Sequence, residues 1–370
     1  MYASIRIDGA TLELLKLPLA GPFTVSTGTT HEKIVPLLTL RSGGLEGYAE
    51  GVADPHPEFL DETISGSVAL LRETLLPGII GKSFENPSAL ERVMAVWRGH
   101  QMTKAMIEMA FWDLWAKSLG MPLKTALGGT GDRVDVGVSL GIEAIPETVE
   151  KALEHDALGY KRIKLKIRPN HDLDLVAAVR VVLPHAHISV DANTAYSLSD
   201  LPLLQKLDDF DLDYIEQPLG YDDLHDHAVL QSVLMTPVCL DESIRSSVQA
   251  RKALQTGATR VINVKVGRVG GYQEARRIHD LTAAWGFPVW CGGMLESGVG
   301  RAHNIHLATL PNFCRPGDTS SSSRYFAKDI IQEPLEAVDG QMPVPPGPGI
   351  GVTLDQPFIR TVSTYSETFC

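Results

Sequence analysis

The chain has 370 residues, of which 44% are hydrophobic and 21% are charged, and this ordinary globular composition excludes a disordered, collagen-like or coiled-coil protein. Its length is sufficient for two domains, or for one large barrel with an appended domain. The formal net charge of -12 argues against a nucleic acid or an anionic membrane as the main partner, because both bind basic surfaces.

The cysteines and the first residues of the chain favour a reduced, cytoplasmic location. The chain has four cysteines, Cys239, Cys291, Cys314 and Cys370. They lack paired spacing, and the first two lie in apolar runs. Residues 1–19 carry charges and have no uninterrupted apolar core, so we expect no signal peptide there. The least polar stretch, 281–295, is too short to span a bilayer, which predicts a soluble protein.

Residues 1–125 are predicted to form a small α+β domain. Three strand-like runs come first, TLELLKLPL, EKIVPLLTL and LEGYAEGV, and short polar turns join them. Three segments with helical periodicity follow, near 60–77, 84–98 and 102–119.

From about residue 134, short β-branched runs alternate with longer segments of helical periodicity. The runs are VDVGVSLG, RIKLKI, HISVDAN, LDYIEQPL, PVCLDES, RVINVKV and PVWCGGM, with a weaker eighth, NFCRPGDT. Their ends recur in steps of 24 to 27 residues, the length of one strand plus one crossover helix. This repeat predicts a closed βα barrel over residues 126–322. An open doubly wound sheet is less favoured, because no G-x-G-x-x-G loop follows the first run and charged residues recur at nearly every run's end.

The tail, residues 323–370, has no further βα unit and is rich in proline and glycine. We therefore expect it to pack on the N-terminal domain instead of extending the barrel.

Three carboxylates, Asp191, Glu216 and Asp241, occupy equivalent positions in three successive runs. Neighbouring strands lie about 4.8 Å apart, so side chains at matching heights can converge at the mouth of the barrel. Three like charges there would repel one another unless a cation neutralises them, and oxygen ligands suit Mg²⁺ or Mn²⁺. The alternative, three unrelated solvated acids, would require a coincidence with the strand repeat.

Lysines stand at the ends of flanking runs. Lys164 and Lys166 share one face of a strand, and the apolar residues between them must then face the helices, so both lysines point inward. The alternative is an outward position with the stems lying along the surface. Lys265 ends the sixth run, beyond the three carboxylate runs. A lysine beside a second lysine and a cation is expected to have a depressed pKa and to accept a proton near neutral pH.

This arrangement suits proton removal from a carbon next to a carboxylate. The product of that step is an enediolate, which a dication would stabilise while a neutral lysine takes the proton. Two lysines on opposite faces would give racemisation, whereas one lysine acting on a β-hydroxy acid would give elimination of water.

The motifs also resemble a known family, the muconate-lactonizing subgroup of the enolase superfamily. The resemblance is carried by the K-x-K of the second run, by VDAN, IEQP and LDES, and by the sixth run. KVGRVGGYQEARRIHD and PVWCGGMLESGVGRAHN are similar to the branch that contains o-succinylbenzoate synthases and N-acylamino acid (N-succinylamino acid) racemases. This resemblance implies a modified TIM barrel, (β/α)7β, with an α+β capping domain built from the N-terminal segment and the C-terminal tail.

The resemblance also implies roles for individual residues. The three strand-end carboxylates would hold Mg²⁺ or Mn²⁺, and Lys166 and Lys265 would be the two acid/base catalysts. Lys164 would orient and electrostatically tune Lys166, and Asn193 would support the metal's ligands.

For other residues near the strand ends, the sequence indicates supporting or substrate-contact roles. Glu242 follows a predicted ligand directly, so strand alternation should point it away from the metal, in a supporting role. Arg268 could depress the pKa of Lys265 or bind a loop carboxylate. Gly292 and Gly293 would let substrate approach the backbone, or simply form a tight turn, and Met294 is a candidate substrate contact.

The capping domain is expected to cover the site with two loops, residues 19–27 and 50–59. Phe23 and Phe59 are their candidate substrate contacts, although each could instead anchor a domain interface. Four histidines lie in predicted helical segments, His225, His227, His303 and His306. We expect these on helix surfaces and not as metal ligands.

The leading hypothesis is racemisation of N-acylamino acids, N-succinyl or N-acetyl. The alternative is o-succinylbenzoate synthesis by syn-dehydration in menaquinone biosynthesis, possible alongside racemisation. Other cycloisomerases or dipeptide epimerases are disfavoured because RPGDTSSSS lacks a D-x-D motif, and a non-enzymatic metal-binding barrel would not need both lysines. We expect a small-molecule carboxylate substrate and a homo-oligomer, with no nucleic-acid or membrane partner.

Overall fold

The structure is a computed structural model that describes residues 4–25 and 28–370, without the side chains of Phe23 and Val25. It combines a barrel of parallel strands with a smaller α+β domain that covers the carboxyl ends of those strands. Within the described part of the chain, none of the helices has the length and apolar character needed to cross a membrane.

The N-terminal segment forms β1 (Ile5–Arg6), β2 (Gly9–Val25), β3 (Gly28–Ser42), β4 (Leu45–Glu50), α1 (Ile64–Leu70), α2 (Leu76–Ile79), β5 (Ser83–Phe84), α3 (Pro87–Met94), α4 (Gln101–Ser118) and α5 (Leu123–Leu127). A π-helical turn, Leu71–Leu75, joins α1 to α2. The three strands and three helical segments expected here are therefore present.

The next segment forms β6 (Arg133–Asp135), β7 (Val138–Leu140), α6 (Ile145–Ala157), β8 (Ile163–Lys166), α7 (Leu173–Val182), β9 (Ile188–Asp191), α8 (Leu201–Leu204), β10 (Ile215–Glu216), α9 (Leu224–Val233), β11 (Val238–Leu240), α10 (Ser247–Thr256), β12 (Val261–Val264), α11 (Val266–Val269), α12 (Tyr272–Ala284), β13 (Val289–Cys291) and α13 (Gly298–Leu307). The tail adds β14 (Gln341–Pro343), α14 (Gln356–Val362) and β15 (Ser363–Phe369). Short 3₁₀ turns cover Leu198–Asp200, Gln205–Phe210 and Ser322–Arg324.

Seven parallel strands, β7 to β13, form the barrel sheet in chain order. The weak eighth run makes two isolated bridges in place of a strand, from Phe313 to Val289 and from Gly317 to Val136. The Gly137 N–H donates to Gly317 O at 2.8 Å. These bonds join the two edges of the sheet, so the predicted modified barrel is confirmed.

Alternation along the strands separates the barrel interior from the helices. Ile163, Leu165 and Ile167 are buried in the main hydrophobic core, and the intervening lysines face inward as the sequence predicted. Four inward residues form a separate apolar cluster: Tyr214, Cys239, Val261 and Trp290. This cluster fills the barrel below the carboxyl ends of the strands.

The capping domain is built on a four-stranded sheet in the order β15-β2-β3-β4. The tail strand β15 pairs antiparallel with β2, from Ser363 opposite Leu15 to Phe369 opposite Ala10, which confirms that the tail returns to this domain. The tail also touches the barrel segment, because β14 pairs with β6. The exact domain limits stay a prediction.

The prediction that residues 19–27 form a loop is largely wrong. Strand β2 continues to Val25 and pairs with the start of β3, with Phe23 opposite Thr30, after an irregularity that begins at Pro18. Residues 19–25 thus belong to one arm of a long β-hairpin, and residues 26–27 of the predicted loop lie outside the described residues. Residues 51–63, in contrast, are mostly irregular, as expected.

Candidate active site

A cavity of about 930 Å³ lies at the carboxyl ends of the barrel strands. Barrel residues form its inner wall, and segments 28–34 and 54–61 of the capping domain form its outer wall. Among the predicted residues, the inner wall includes Lys164, Lys166, Asp191, Asn193, Glu242, Lys265, Gly293 and Met294. Glu216 and Asp241 lie behind the lysines, almost completely buried.

Lys166 ends strand β8, opposite Asp191 at the end of β9. Its Nζ donates to Asp191 Oδ2 and to Asn193 Oδ1, each at 2.6 Å. Burial would raise the pKa of Asp191, but the charges of Lys166 and Lys164 outweigh it and lower that pKa to about 2. Asp191 is therefore a carboxylate over the whole neutral range.

Lys164 precedes Lys166 by two residues on β8, so the two side chains lie on the same face of the strand. Its Nζ contacts Asp318 Oδ2 at 2.6 Å and Glu216 Oε2 at 3.0 Å. Burial would lower the pKa of Lys164, but these carboxylates outweigh it and hold the pKa well above its ordinary value. The depressed lysine pKa expected from the sequence applies to a lysine beside a bound cation, so it stays a prediction.

Lys265 directly follows β12 and faces a less polar part of the cavity. Its Nζ donates to Asp241 Oδ2 at 2.8 Å, and it also contacts the Met294 sulfur at 3.4 Å and the Phe59 ring, whose centroid is 4.8 Å away. Phe59 and Met294, both predicted as substrate contacts, thus lie beside this lysine.

Arg268 lies beneath the site and is fully buried. Its guanidinium contacts Asp241 Oδ1 and donates to the carbonyls of Ile244, at 2.9 Å, and Asn263, at 2.7 Å. Burial lowers the pKa of Arg268 to about 9. Of the two roles left open by the sequence, the structure shows the guanidinium in contact with a carboxylate, that of Asp241, while an effect of Arg268 on the pKa of Lys265 stays a prediction.

Glu242 lines the cavity, so the expectation that it points away from the site is wrong. Strand β11 ends at Leu240, and the alternation of a strand no longer applies two residues later. Glu242 Oε1 accepts a hydrogen bond from Asn193 Nδ2 at 3.0 Å. Burial and the charge of Asp191 raise the pKa of Glu242 to about 7.

The two predicted glycines have different surroundings. A Cβ atom at Gly292 would lie 2.2 Å from Asn263 Oδ1, and the Asn263 amide donates to Glu216 Oε1 at 2.7 Å. Gly292 is therefore required by packing behind the site, whereas Gly293 lines the cavity itself. The predicted contact by Phe23 falls on a side chain outside the described residues.

The three strand-end carboxylates offer the oxygen donors that Mg²⁺ and Mn²⁺ prefer. Within residues 4–25 and 28–370, no three or more His, Cys, Asp or Glu side chains already surround one point closely enough to hold a metal ion. Each carboxylate instead contacts a lysine. Burial and the charge of Asp191 raise the pKa of Glu216, so a cation among these groups would relieve unfavourable charge. The donor set fits a hard dication that replaces some of the lysine contacts.

Two family models match the chain. Residues 10–128 match the N-terminal domain of the mandelate racemase / muconate lactonizing enzyme family, and residues 147–358 match the enolase C-terminal domain-like family. The chain belongs to the enolase superfamily. The family resemblance seen in the sequence motifs is thereby confirmed.

Relatives of this enolase-superfamily chain match nearly its full length. An N-succinylamino acid racemase from Thermus thermophilus is 52% identical, covering 98% of this chain and 99% of the relative. An o-succinylbenzoate synthase from Geobacillus kaustophilus is 47% identical, covering 99% and 98%. The crystal structure of a superfamily member from Listeria innocua has a TM-score of 0.96, with 40% identity over 99% of both chains. The chain is thus an enzyme of this superfamily.

Asp318, Arg301 and Tyr325 are among the residues that line the cavity of this enolase-superfamily enzyme and that sequence reasoning missed. Asp318 lies near the end of the weak eighth run, one repeat length after Gly292, so the strand-end spacing contained the signal. Arg301 lies inside helix α13, and its side chain donates to the Ser320 carbonyl. No periodic pattern in the sequence marks it as a cavity residue.

The surface position expected for the helical histidines is wrong for three of the four. His227, His303 and His306 are fully buried, and only His225 is exposed. His303 lies between Tyr272 OH, at 2.8 Å from Nδ1, and a backbone carbonyl of β4. Burial lowers the pKa of His303 and His306 to about 4. These rings pack the capping domain against the barrel, outside the cavity.

Proposed function

We propose that this enzyme is a divalent-metal-dependent racemase of N-acylamino acids, N-succinyl or N-acetyl, that works by 1,1-proton transfer between two lysines. One observation carries the proposal. Lys166 and Lys265 enter the same cavity from β8 and from the end of β12, and the three strands with carboxylate ends lie between them. A substrate α-carbon between the two amines would present one face to each.

Removal of the α-proton is the difficult step, because it leaves an enediolate with two negatively charged oxygens. Mg²⁺ or Mn²⁺ held by Asp191, Glu216 and Asp241 would supply positive charge that offsets this negative charge. Lys166 or Lys265 takes the proton from one face, and the other lysine returns a proton to the opposite face.

Neighbouring groups orient the Lys166 amine for this transfer. Asn193 Oδ1 accepts from Lys166 Nζ, and the amide of Asn193 is itself fixed by its bond to Glu242. Lys164, held between Asp318 and Glu216, stays cationic and adds positive charge below the reacting carbon. The acyl group would extend toward the capping-domain wall, where segments 28–34 and 54–61 meet the cavity.

A second candidate is o-succinylbenzoate synthesis, in menaquinone biosynthesis. The 47% identity to an enzyme of that name over nearly the whole chain favours it. Syn-dehydration passes through the same kind of enediolate, but it requires acid and base on a single face. Lys166 would supply both, and Lys265 only its positive charge.

Proton NMR in D₂O tests the two candidates side by side. The wild-type enzyme is given each enantiomer of a panel of N-succinyl and N-acetyl amino acids and, separately, the o-succinylbenzoate precursor. We expect α-proton exchange from both enantiomers, with loss of optical activity. Dehydration without any α-proton exchange would overturn the racemase proposal and leave the synthase. Full activity after exhaustive chelation would overturn the shared mechanism.

A further inference from the structure

Gln217 directly follows Glu216 at the end of β10 and has an unusual backbone. Its φ is 36°, in the left-handed region, although it is neither glycine nor a turn residue on the surface. Its side chain is completely buried. A non-glycine residue persists in this conformation only where its surroundings determine it, so its contacts are informative.

The amide of Gln217 uses all four of its hydrogen-bonding positions. Its Oε1 accepts from the backbone N–H of Asp241, at 3.0 Å, and of Ser243, at 3.2 Å. Its Nε2 donates to Ser243 Oγ, at 2.8 Å, and to Leu219 O, at 3.2 Å. Because the oxygen meets two backbone donors, the orientation of the amide is unambiguous.

The backbone of Gln217 also forms hydrogen bonds with the segments on both sides of β10. Its N–H donates to Cys239 O on β11 at 2.8 Å, and its carbonyl accepts from the Thr194 N–H, beyond β9, at 2.9 Å. One residue therefore ties together the ends of the three strands that carry the site's carboxylates.

Asp241 depends on this connection more than the other two carboxylates do. Asp191 and Glu216 are the last residues of their strands and are partners in the parallel ladder. Asp241 follows the end of β11 at Leu240, where the ladder has stopped. Its N–H is held by a side chain, that of Gln217, in place of a neighbouring strand.

We propose that Gln217 is a positioning residue, which fixes Asp241 relative to Glu216 and so sets the affinity of the site for a divalent cation. The inference rests on the proposed function, in which these carboxylates hold the metal. Arg268 and Lys265 contact the carboxylate of Asp241, but Gln217 holds its backbone N–H. Loss of the amide would loosen that backbone, and the metal would then have to order a ligand that the wild-type enzyme already holds in place.

The chain offers a matched control in Gln231, on helix α9. It is also buried, its Oε1 accepts from the Val238 N–H at 2.7 Å, and its Nε2 donates to the carbonyls of Leu234 and Thr236. Gln231 therefore braces the same strand, β11, at its opposite end. A substitution there costs similar hydrogen bonds but lies far from the cavity.

The experiment compares Gln217→Met with Gln231→Met, since methionine has nearly the same length but no amide. Binding of Mn²⁺ is measured by calorimetry, and thermal unfolding by circular dichroism. We expect both variants to unfold at a lower temperature by similar amounts. The Mn²⁺ dissociation constant should rise about tenfold in Gln217→Met, and by less than about twofold in Gln231→Met.

Ser243→Ala is a milder variant of the same network, which keeps Gln217 and removes only one partner of its amide. We expect Mn²⁺ affinity to fall about threefold, as for the loss of one hydrogen bond in a positioning network. If Gln217→Met does not fold, the Mn²⁺ affinity of Ser243→Ala tests the inference in its place.

Two results would overturn the inference: wild-type Mn²⁺ affinity in the folded Gln217 and Ser243 variants, or an equal loss of affinity in the Gln217 and Gln231 variants. A wild-type enzyme that binds no Mn²⁺ would instead overturn the proposed function itself, so the two failures are distinguishable.

Discussion

The two lysines at the sides of the cavity have different surroundings. Lys166 is held by two oxygen acceptors of the barrel, on Asp191 and Asn193. Lys265 donates to one carboxylate, that of Asp241, and it also contacts a thioether and the Phe59 ring of the capping domain. The barrel alone thus orients one amine, whereas the other also depends on the domain that covers the site. Substitutions should therefore affect the two faces of a substrate unequally.

Removal of the metal should have the largest effect on activity. It should impair proton transfer at Lys166 and at Lys265 alike. We expect exhaustive chelation to lower racemisation from either enantiomer at least about a thousandfold, because the enediolate loses its main charge stabilisation. Added Mg²⁺ or Mn²⁺ should restore it. Chiral chromatography of the product measures both rates, and Asp191→Asn should weaken metal binding and activity together. Retention of activity for one enantiomer alone would contradict a shared metal.

Removal of either lysine should separate the two faces. We expect Lys166→Ala and Lys265→Ala each to reduce racemisation by about 10² to 10⁴-fold, the usual contribution of a general acid or base. Each variant should still exchange the α-proton of one enantiomer with deuterium, and the two enantiomers should be complementary. Proton NMR in D₂O measures this exchange. The two-base assignment is wrong if both variants exchange the same enantiomer.

Asn193→Gly tests only the Lys166 side of the cavity, where Asn193 accepts a hydrogen bond from the amine. Glycine suits the φ of 43° at this position, so the change removes the side chain without backbone strain. Loss of the hydrogen bond that orients the Lys166 amine should slow exchange on the Lys166 face about tenfold and leave the Lys265 face nearly unchanged. A parallel loss on both faces would show that Asn193 acts through the metal's ligands, and Mn²⁺ titration of the variant would then detect weaker binding.

Phe59→Leu should have the smallest effect, on the opposite side. A cation–π contact contributes about 0.5 to 1 kcal/mol, so its loss predicts a change of about two- to fivefold in exchange on the Lys265 face. Exchange on the Lys166 face should be unaffected. Should both faces slow equally while the melting temperature falls, Phe59 would be an anchor between the domains and not a neighbour of the reacting lysine.

The regular part of the barrel accounts for what the sequence predicted well. In RIKLKI, alternate apolar residues face the helices, so the lysines had to point inward. The strand repeat likewise located Asp191, Glu216 and Asp241, because strand ends in a parallel barrel meet at one rim. These inferences needed only local periodicity.

The failures occur where regular structure stops. Glu242 lies beyond the end of β11, and Asp318 lies on a segment that bridges two edges without forming a strand. The prediction of surface histidines on helix α13 failed for another reason, because all ten residues of this helix are buried between the two domains. Its histidines look like surface residues when only one helix is considered. Contacts between distant segments decided each of these cases, and periodicity contains no information about them.

The pairing of β15 with β2 has a consequence for the order of folding. The sheet of the capping domain joins the first long strand of the chain to the last, with the entire barrel between them in sequence. Such a contact closes a very long loop, which makes it slow to form, whereas each βα unit of the barrel closes a short one. During synthesis the barrel can therefore assemble first, and the capping sheet gains its fourth strand only after the tail has left the ribosome. The sheet that carries the outer wall of the cavity is thus completed as a late event in the maturation of the protein.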